Sequence, residues 1–112
     1  KYTLAFEGSK YIVAPSICDI CDCHVFHQYT LRIIDADRDG LLQHLMSKGI
    51  PCAIYYPIPL HLQKAYTDSR YKEEDFPVTN KLVKEVISLP MHTELDDEQI
   101  KFITDSVLEF FK

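Results

Sequence analysis

Pro57 and Pro59 fall within Tyr55-Tyr56-Pro57-Ile58-Pro59-Leu60-His61-Leu62-Gln63-Lys64-Ala65-Tyr66, a stretch that directly follows an apolar run. Each proline fixes its own φ near −65° and lacks an N–H, and each pushes the preceding residue into extended geometry. Tyr56 to Pro59 is therefore predicted to be stiff and non-helical, a polar-tipped exit from a strand. A preset loop carrying an imidazole and phenols loses less entropy on meeting a ligand than a flexible spacer would. The plainer alternative is a kinked surface connection.

The chain has 112 residues, 46% hydrophobic and 26% charged, which is one domain's worth with a real core. Its formal net charge is −5, with acidic residues concentrated at 35–39, 73–75 and 94–98. Such a surface repels phosphate backbones, so a nucleic-acid partner is not expected. No apolar run approaches the roughly 20 residues that span a bilayer, and no secretory leader opens the sequence. A membrane partner is likewise not expected, and the expected location is cytoplasmic. The sequence opens at Lys1 rather than at a methionine, which is what an excised piece of a longer polypeptide would show.

Local patterns divide the chain into elements. Lys1 to Phe6 reads as the last turn of a helix ending at Gly8, and Tyr11-Ile12-Val13 as a short strand stopped by Pro15. His24 to Ile34 alternates and is predicted to be a central strand, apolar on both faces. Asp37 is the candidate N-cap of a helix with Leu41, Leu42, Leu45 and Met46 inward, weakened by Gly40 and stopped by Gly49. Cys52 to Tyr56 is predicted to be a second strand, which delivers the proline stretch from its C-terminal end. Thr67 to Asp75 is too charged for the core and reads as a surface excursion. Pro77 suits the first position of a helix whose apolar side is Val78, Leu82, Val83, Val86 and Ile87, followed by an extended Ser88-Leu89-Pro90. Asp96 with Gln99 resembles a capping box, opening a helix striped by Ile100, Ile103, Val107 and Phe110 and widened by Phe102, Leu108 and Phe111. The expected fold is an α/β (α+β) two-layer sandwich over residues 1–112, with a small mixed or antiparallel sheet and helices on one face. The other sheet face is free to meet another domain.

Cys18, Cys21 and Cys23 precede His24 and His27, thiolates and imidazoles of the kind that zinc binds. Zinc ligands usually come as two separated pairs, whereas these share one loop, and a strand would turn His24 and His27 to opposite faces. Reduced thiols in a loop are the preferred reading, and no metal is expected. His44 reads as an exposed helix residue. The sequence lacks a glycine-rich phosphate loop, a nucleophile elbow and a His-Glu-x-x-His motif, so no self-contained catalytic residues are assigned.

Several blocks occur in order: His24 to Arg32, Arg38-Asp39, Lys48 to Gln63 with Tyr-Pro-Ile-Pro-Leu-His, Tyr71 to Pro77, Leu89-Pro-Met91 and Glu98-Gln-Ile100. Together they resemble the C-terminal part of the DegT/DnrJ/StrS-type nucleotide-sugar aminotransferases, pyridoxal phosphate enzymes of the aspartate-aminotransferase fold type. The resemblance runs from His24 onward, and residues 1–23 form a poorly matched lead-in. It implies a small C-terminal domain that packs on a large N-terminal domain, absent from this chain. That large domain holds pyridoxal phosphate through a lysine in a Ser/Pro-rich motif and an aspartate at the pyridinium nitrogen, and no lysine here has that context. The cofactor is accordingly not expected to bind this fragment. In the full enzyme, a homodimer, the partners would be a keto nucleotide-sugar and glutamate, and the similarity around Tyr55 to Pro77 leans towards 3-keto sugars. Residues matching Tyr55, Tyr56 and His61 are implied to line the mouth where the nucleotide-sugar sits, although the family commonly has histidine where Tyr55 stands. His27 and Gln28 match a His-Gln/Leu pair and add His27 to the expected substrate-binding set, with domain packing as the other role open to it. The alternative function is a freestanding interaction or regulatory module without catalysis.

Overall fold

The computed structural model describes residues 1–16 and 24–112. Cys18, Cys21 and Cys23 lie outside the described residues. The sheet has three strands in the order β1 (Ile12–Val13), β2 (Tyr29–Ile33), β3 (Val86–Leu89), each antiparallel to its neighbour. Residues directly opposite on β2 and β3 include Leu31 with Ile87 and Tyr29 with Leu89. Because strand side chains alternate, Tyr29, Leu31, Ile33, Ile87 and Leu89 all enter the core while Thr30, Arg32 and Ser88 face away from it.

Helices α1 (Tyr2–Ala5), α2 (Arg38–Ser47) and α4 (Asp97–Glu109) cover the core face. Tyr2, Leu41, Leu45, Ile103 and Val107 from these helices are buried with the strand residues in one cluster. The fold is thus the α/β two-layer arrangement expected, with a small antiparallel sheet. Among the described residues no helix is long and apolar enough to cross a membrane.

The helix ends follow their local chemistry. The Asp37 carboxylate accepts from the Gly40 N–H at 2.8 Å, and Asp96 and Gln99 form the reciprocal capping box, at 2.8 and 3.1 Å. Gly49, at φ +75°, ends α2 in the left-handed region. Helix α3 (Pro77–Glu85) begins on its proline and leads straight into β3.

Three expectations about boundaries are corrected. The strand predicted over His24 to Ile34 begins only at Tyr29, since Phe26 takes φ 41° and its N–H bonds back to His24 Nδ1 at 3.0 Å, which turns the chain. His24 and His27 precede the strand, so strand alternation does not set their faces. Cys52 to Tyr56 is not a full strand but a single antiparallel bridge, with Ala53 and Ser88 exchanging both backbone bonds at 3.1 and 2.8 Å. Helix α3 stops at Glu85 and gives Val86 and Ile87 to β3. Arg38 fixes that boundary, donating from one guanidinium nitrogen to the Val83 and Val86 carbonyls at 3.1 and 2.9 Å. Two further residues differ from expectation: His44 is half-buried, bonded to the Ser106 carbonyl and packed on Phe110, while Met46 is largely exposed.

Gly40 has a structural reason that helix propensity alone misses. A Cβ there would lie 2.4 Å from Asp37 Oδ2 and 3.1 Å from the Phe110 ring. Gly40→Ala should therefore destabilise the fold by up to about 1 kcal/mol, because the displaced cap and the crowding against Phe110 together outweigh the roughly 1 kcal/mol of propensity gained. Chemical denaturation would show it as a lower midpoint at unchanged slope.

Tyr2 and Tyr29 pack at 4.9 Å between centroids, and the Tyr2 hydroxyl donates to the Pro90 carbonyl at 3.0 Å. Burial first, and the neighbouring Tyr29 charge second, push the Tyr2 phenol up to about 12. The folded state therefore disfavours the phenolate, so stability is full below about pH 10 and falls as the pH climbs towards 12. In Tyr2→Phe, stability measured by denaturant titration should decline less steeply over that window.

Candidate functional site

The bridge between Ala53 and Ser88 determines where the proline stretch leaves the sheet. On the polar sheet face the Thr30 and Ser88 hydroxyls share a hydrogen bond at 2.8 Å, and Arg32 donates twice to one Glu85 oxygen, at 2.9 and 2.8 Å. Tyr55 and Tyr56 follow the bridge and are exposed, Tyr56 to 76%. With Gln28, Thr30, Ile54 and Ser88 they line a concavity of about 180 Å³ over this face.

The chain then runs against α3. Pro59 is buried, and Pro57, Pro59 and Leu62 border a groove with Arg38, Asn80 and Val83. Pro59 leads into a single 3₁₀ turn, Leu60–Leu62, whose ends are closed by the Leu62 N–H on the Pro59 carbonyl and the Gln63 N–H on the Leu60 carbonyl, at 3.0 and 3.1 Å. The Gln63 amide donates to the Ile58 carbonyl at 3.3 Å, tying the turn to the preceding loop. The stiffness inferred from the prolines thus has a hydrogen-bonded counterpart.

His61 sits in this turn and stacks on Phe76, with ring centroids 4.4 Å apart and planes at 29°. Leu60, His61, Tyr66, Tyr71, Phe76 and Thr79 line a second concavity, of about 360 Å³. His61 Nε2 is enclosed and has no hydrogen-bond partner among the described residues. An enclosed imidazole nitrogen without a partner is a polar atom that a hydroxyl or an anionic oxygen would satisfy once the side chains over it part.

Of the residues picked from the sequence, Tyr55 and Tyr56 share one concavity, His61 belongs to the other, and His27 is exposed and borders neither. Its neighbour Gln28 lines the tyrosine side instead. Sequence reasoning did not single out Phe76 or Tyr66 as site residues. Their signals were present: Phe76 immediately precedes the helix-starting Pro77, and Tyr66 closes the proline stretch.

Comparison with known proteins identifies the lineage of this arrangement. The chain belongs to the DegT/DnrJ/EryC1/StrS aminotransferase family, whose model matches residues 1–108. That match takes in residues 1–23 as well as the blocks from His24 onward. A "Pleiotropic regulatory protein" of Geobacillus stearothermophilus is 44% identical over 89 residues, covering 80% of this chain and 23% of that protein. The UDP-2-acetamido-2-deoxy-3-oxo-D-glucuronate aminotransferase of Pseudomonas aeruginosa is 39% identical over 91 residues, covering 81% of this chain and 24% of the enzyme. The crystal structure of S. venezuelae DesV superposes with a TM-score of 0.87 at 31% identity, over 97% of this chain and 29% of DesV. The chain spans about a quarter of the length of the curated relatives it matches.

Pyridoxal phosphate needs a sheltered lysine amine and a group at its ring nitrogen. Lysines of this chain are at the surface: Lys48 is half-buried in an ion pair with Glu109 at 2.7 Å, and the others are exposed, Lys1, Lys81 and Lys101 paired with Asp97, Glu85 and Asp105. Neither concavity has a lysine in its lining. The residues present do not fit this cofactor on their own, and no step through it is assigned to them.

Proposed function

We propose that this chain is the C-terminal domain of a pyridoxal phosphate-dependent aminotransferase that converts a keto nucleotide-sugar to an amino nucleotide-sugar. In this reading it supplies part of the substrate-site wall, and glutamate is the amino donor. The cofactor, whose conjugated ring serves as an electron sink, sits on a large domain elsewhere in the polypeptide. The complete enzyme is a cytoplasmic homodimer. The observation that carries the proposal is His61, whose Nε2 is enclosed, lacks a partner among the described residues and lies on an aromatic concavity. Identity of 39% to an aminotransferase whose name specifies a 3-oxo sugar nucleotide supports a 3-keto substrate.

The chemistry asked of this wall is recognition. A neutral imidazole can donate to a phosphate oxygen or exchange a hydrogen bond with a sugar hydroxyl, and tyrosine hydroxyls can do the same. The faces of Tyr55, Tyr56, Tyr66 and Tyr71 can cover a sugar ring or a base. His27, exposed beside Gln28, would reach the substrate or the large domain only in the assembled enzyme. Because the loop is already closed by its own hydrogen bonds, little ordering remains to be done on binding.

A second reading, a regulatory module without catalysis, is favoured by one observation, the printed name of the Geobacillus relative at 44% identity. The two readings diverge in kinetics. In the complete polypeptide, His61→Ala should raise the KM for the nucleotide-sugar about tenfold while cofactor absorbance is unchanged, since a binding contact is removed and the cofactor site is not. Unchanged kinetics would remove His61 from the site. A complete polypeptide without transaminase activity on any nucleotide-sugar would favour the module.

A further inference from the structure

The 3₁₀ turn that carries His61 has little packing of its own. Leu60 and Leu62, on either side, are 59% and 41% exposed, and no residue of the turn is buried. The firm contact of the imidazole is its stack on Phe76, at 4.4 Å and 29°. Phe76 is itself held from several sides. Its N–H donates to the Glu73 carbonyl at 3.3 Å, and its own carbonyl accepts the Asn80 N–H at 3.0 Å as α3 begins. The Asn80 side-chain amide donates to the same Glu73 carbonyl at 2.5 Å, and the Tyr71 ring meets Phe76 edge-on at 5.7 Å.

We propose that Phe76 is the positioning residue for His61: its ring face, fixed at the start of α3, sets the plane of the imidazole and with it the position of Nε2. This rests on the reading of His61 as part of the nucleotide-sugar wall. A phenyl ring suits the task for two reasons. It offers a flat face for stacking, and it has no polar atom to engage Nε2 in place of the ligand. Without it, an imidazole on an exposed turn would rotate freely about its side-chain bonds and lose that freedom on binding. The charged excursion over 67–75 acquires a purpose in the same way, since Tyr71 and the Glu73 carbonyl brace the ring that braces His61.

The test is a double-mutant cycle in the complete polypeptide, assayed with UDP- and dTDP-linked 3-oxo sugars and glutamate. Phe76→Leu is expected to raise KM about tenfold with kcat little changed, and to add almost nothing in a His61→Ala background. Phe76→Met serves as the second ring-free variant should Phe76→Leu fold poorly, as judged by its thermal midpoint. A purely structural role would lower that midpoint and yield effects that multiply with those of His61→Ala. If His61→Ala impairs turnover while Phe76→Leu and Phe76→Met do not, or if the effects multiply, the positioning role is overturned alone. If His61→Ala has no effect, or the parent turns over no keto nucleotide-sugar, the functional reading falls and this inference falls with it.

Discussion

The antiparallel pairing of β2 with β3 is the constraint on which the rest of the structure depends. Its inward side sets Leu31 opposite Ile87, both fully buried, and builds the core against α2 and α4. Its outward side sets Thr30 opposite Ser88, and their hydroxyls bond. Ser88 does a second thing with its backbone, exchanging both hydrogen bonds with Ala53 and so fixing the point from which Tyr55, Tyr56 and the prolines depart. A slip of one residue in this register would expose the core residues and move the loop at the same time. Arg38 guards the register from the other end, because its bonds to the Val83 and Val86 carbonyls fix where α3 stops and β3 starts.

Features set by chemistry within a few residues were legible in the sequence. Asp37 and the Asp96/Gln99 box, Pro77 at a helix start and Gly49 at a helix end each satisfy or release backbone groups locally, so their signals needed no knowledge of the fold. Strand limits were not legible. Alternation continues through Phe26, whose positive φ leaves no trace in the pattern of apolar and polar residues. Val86 and Ile87 fit a helical stripe as well as a strand, and a distant guanidinium decides between them. The segment from Cys52 to Tyr56 has strand-like residues but pairs only at Ala53 before the prolines intervene.

The site divides similarly. The sequence marked Tyr55, Tyr56 and His61 as polar groups on a stiff loop, because proline geometry is local. That His61 would lean on Phe76 was not visible, since the stack joins two loops that come together only when the Pro57 to Leu62 segment lies against α3. The resulting surface is aromatic, hydrogen-bonding and without a lysine in either concavity. Its phenol, imidazole and hydroxyl groups are suited to hydrogen bonding and its ring faces to stacking. The proposed division, with recognition here and the reacting centre on another part of the polypeptide, is in keeping with a chain that spans about a quarter of its curated relatives' length.

That separation can be tested on the 112-residue chain directly. The chain is mixed with pyridoxal phosphate, reduced with borohydride and examined by intact-mass and peptide mass spectrometry. If the wall is here and the reacting centre elsewhere, the surface lysines should give only scattered, substoichiometric labelling. One stoichiometric pyridoxyl group on a single lysine would contradict the account, because it would place the cofactor's amine within this chain.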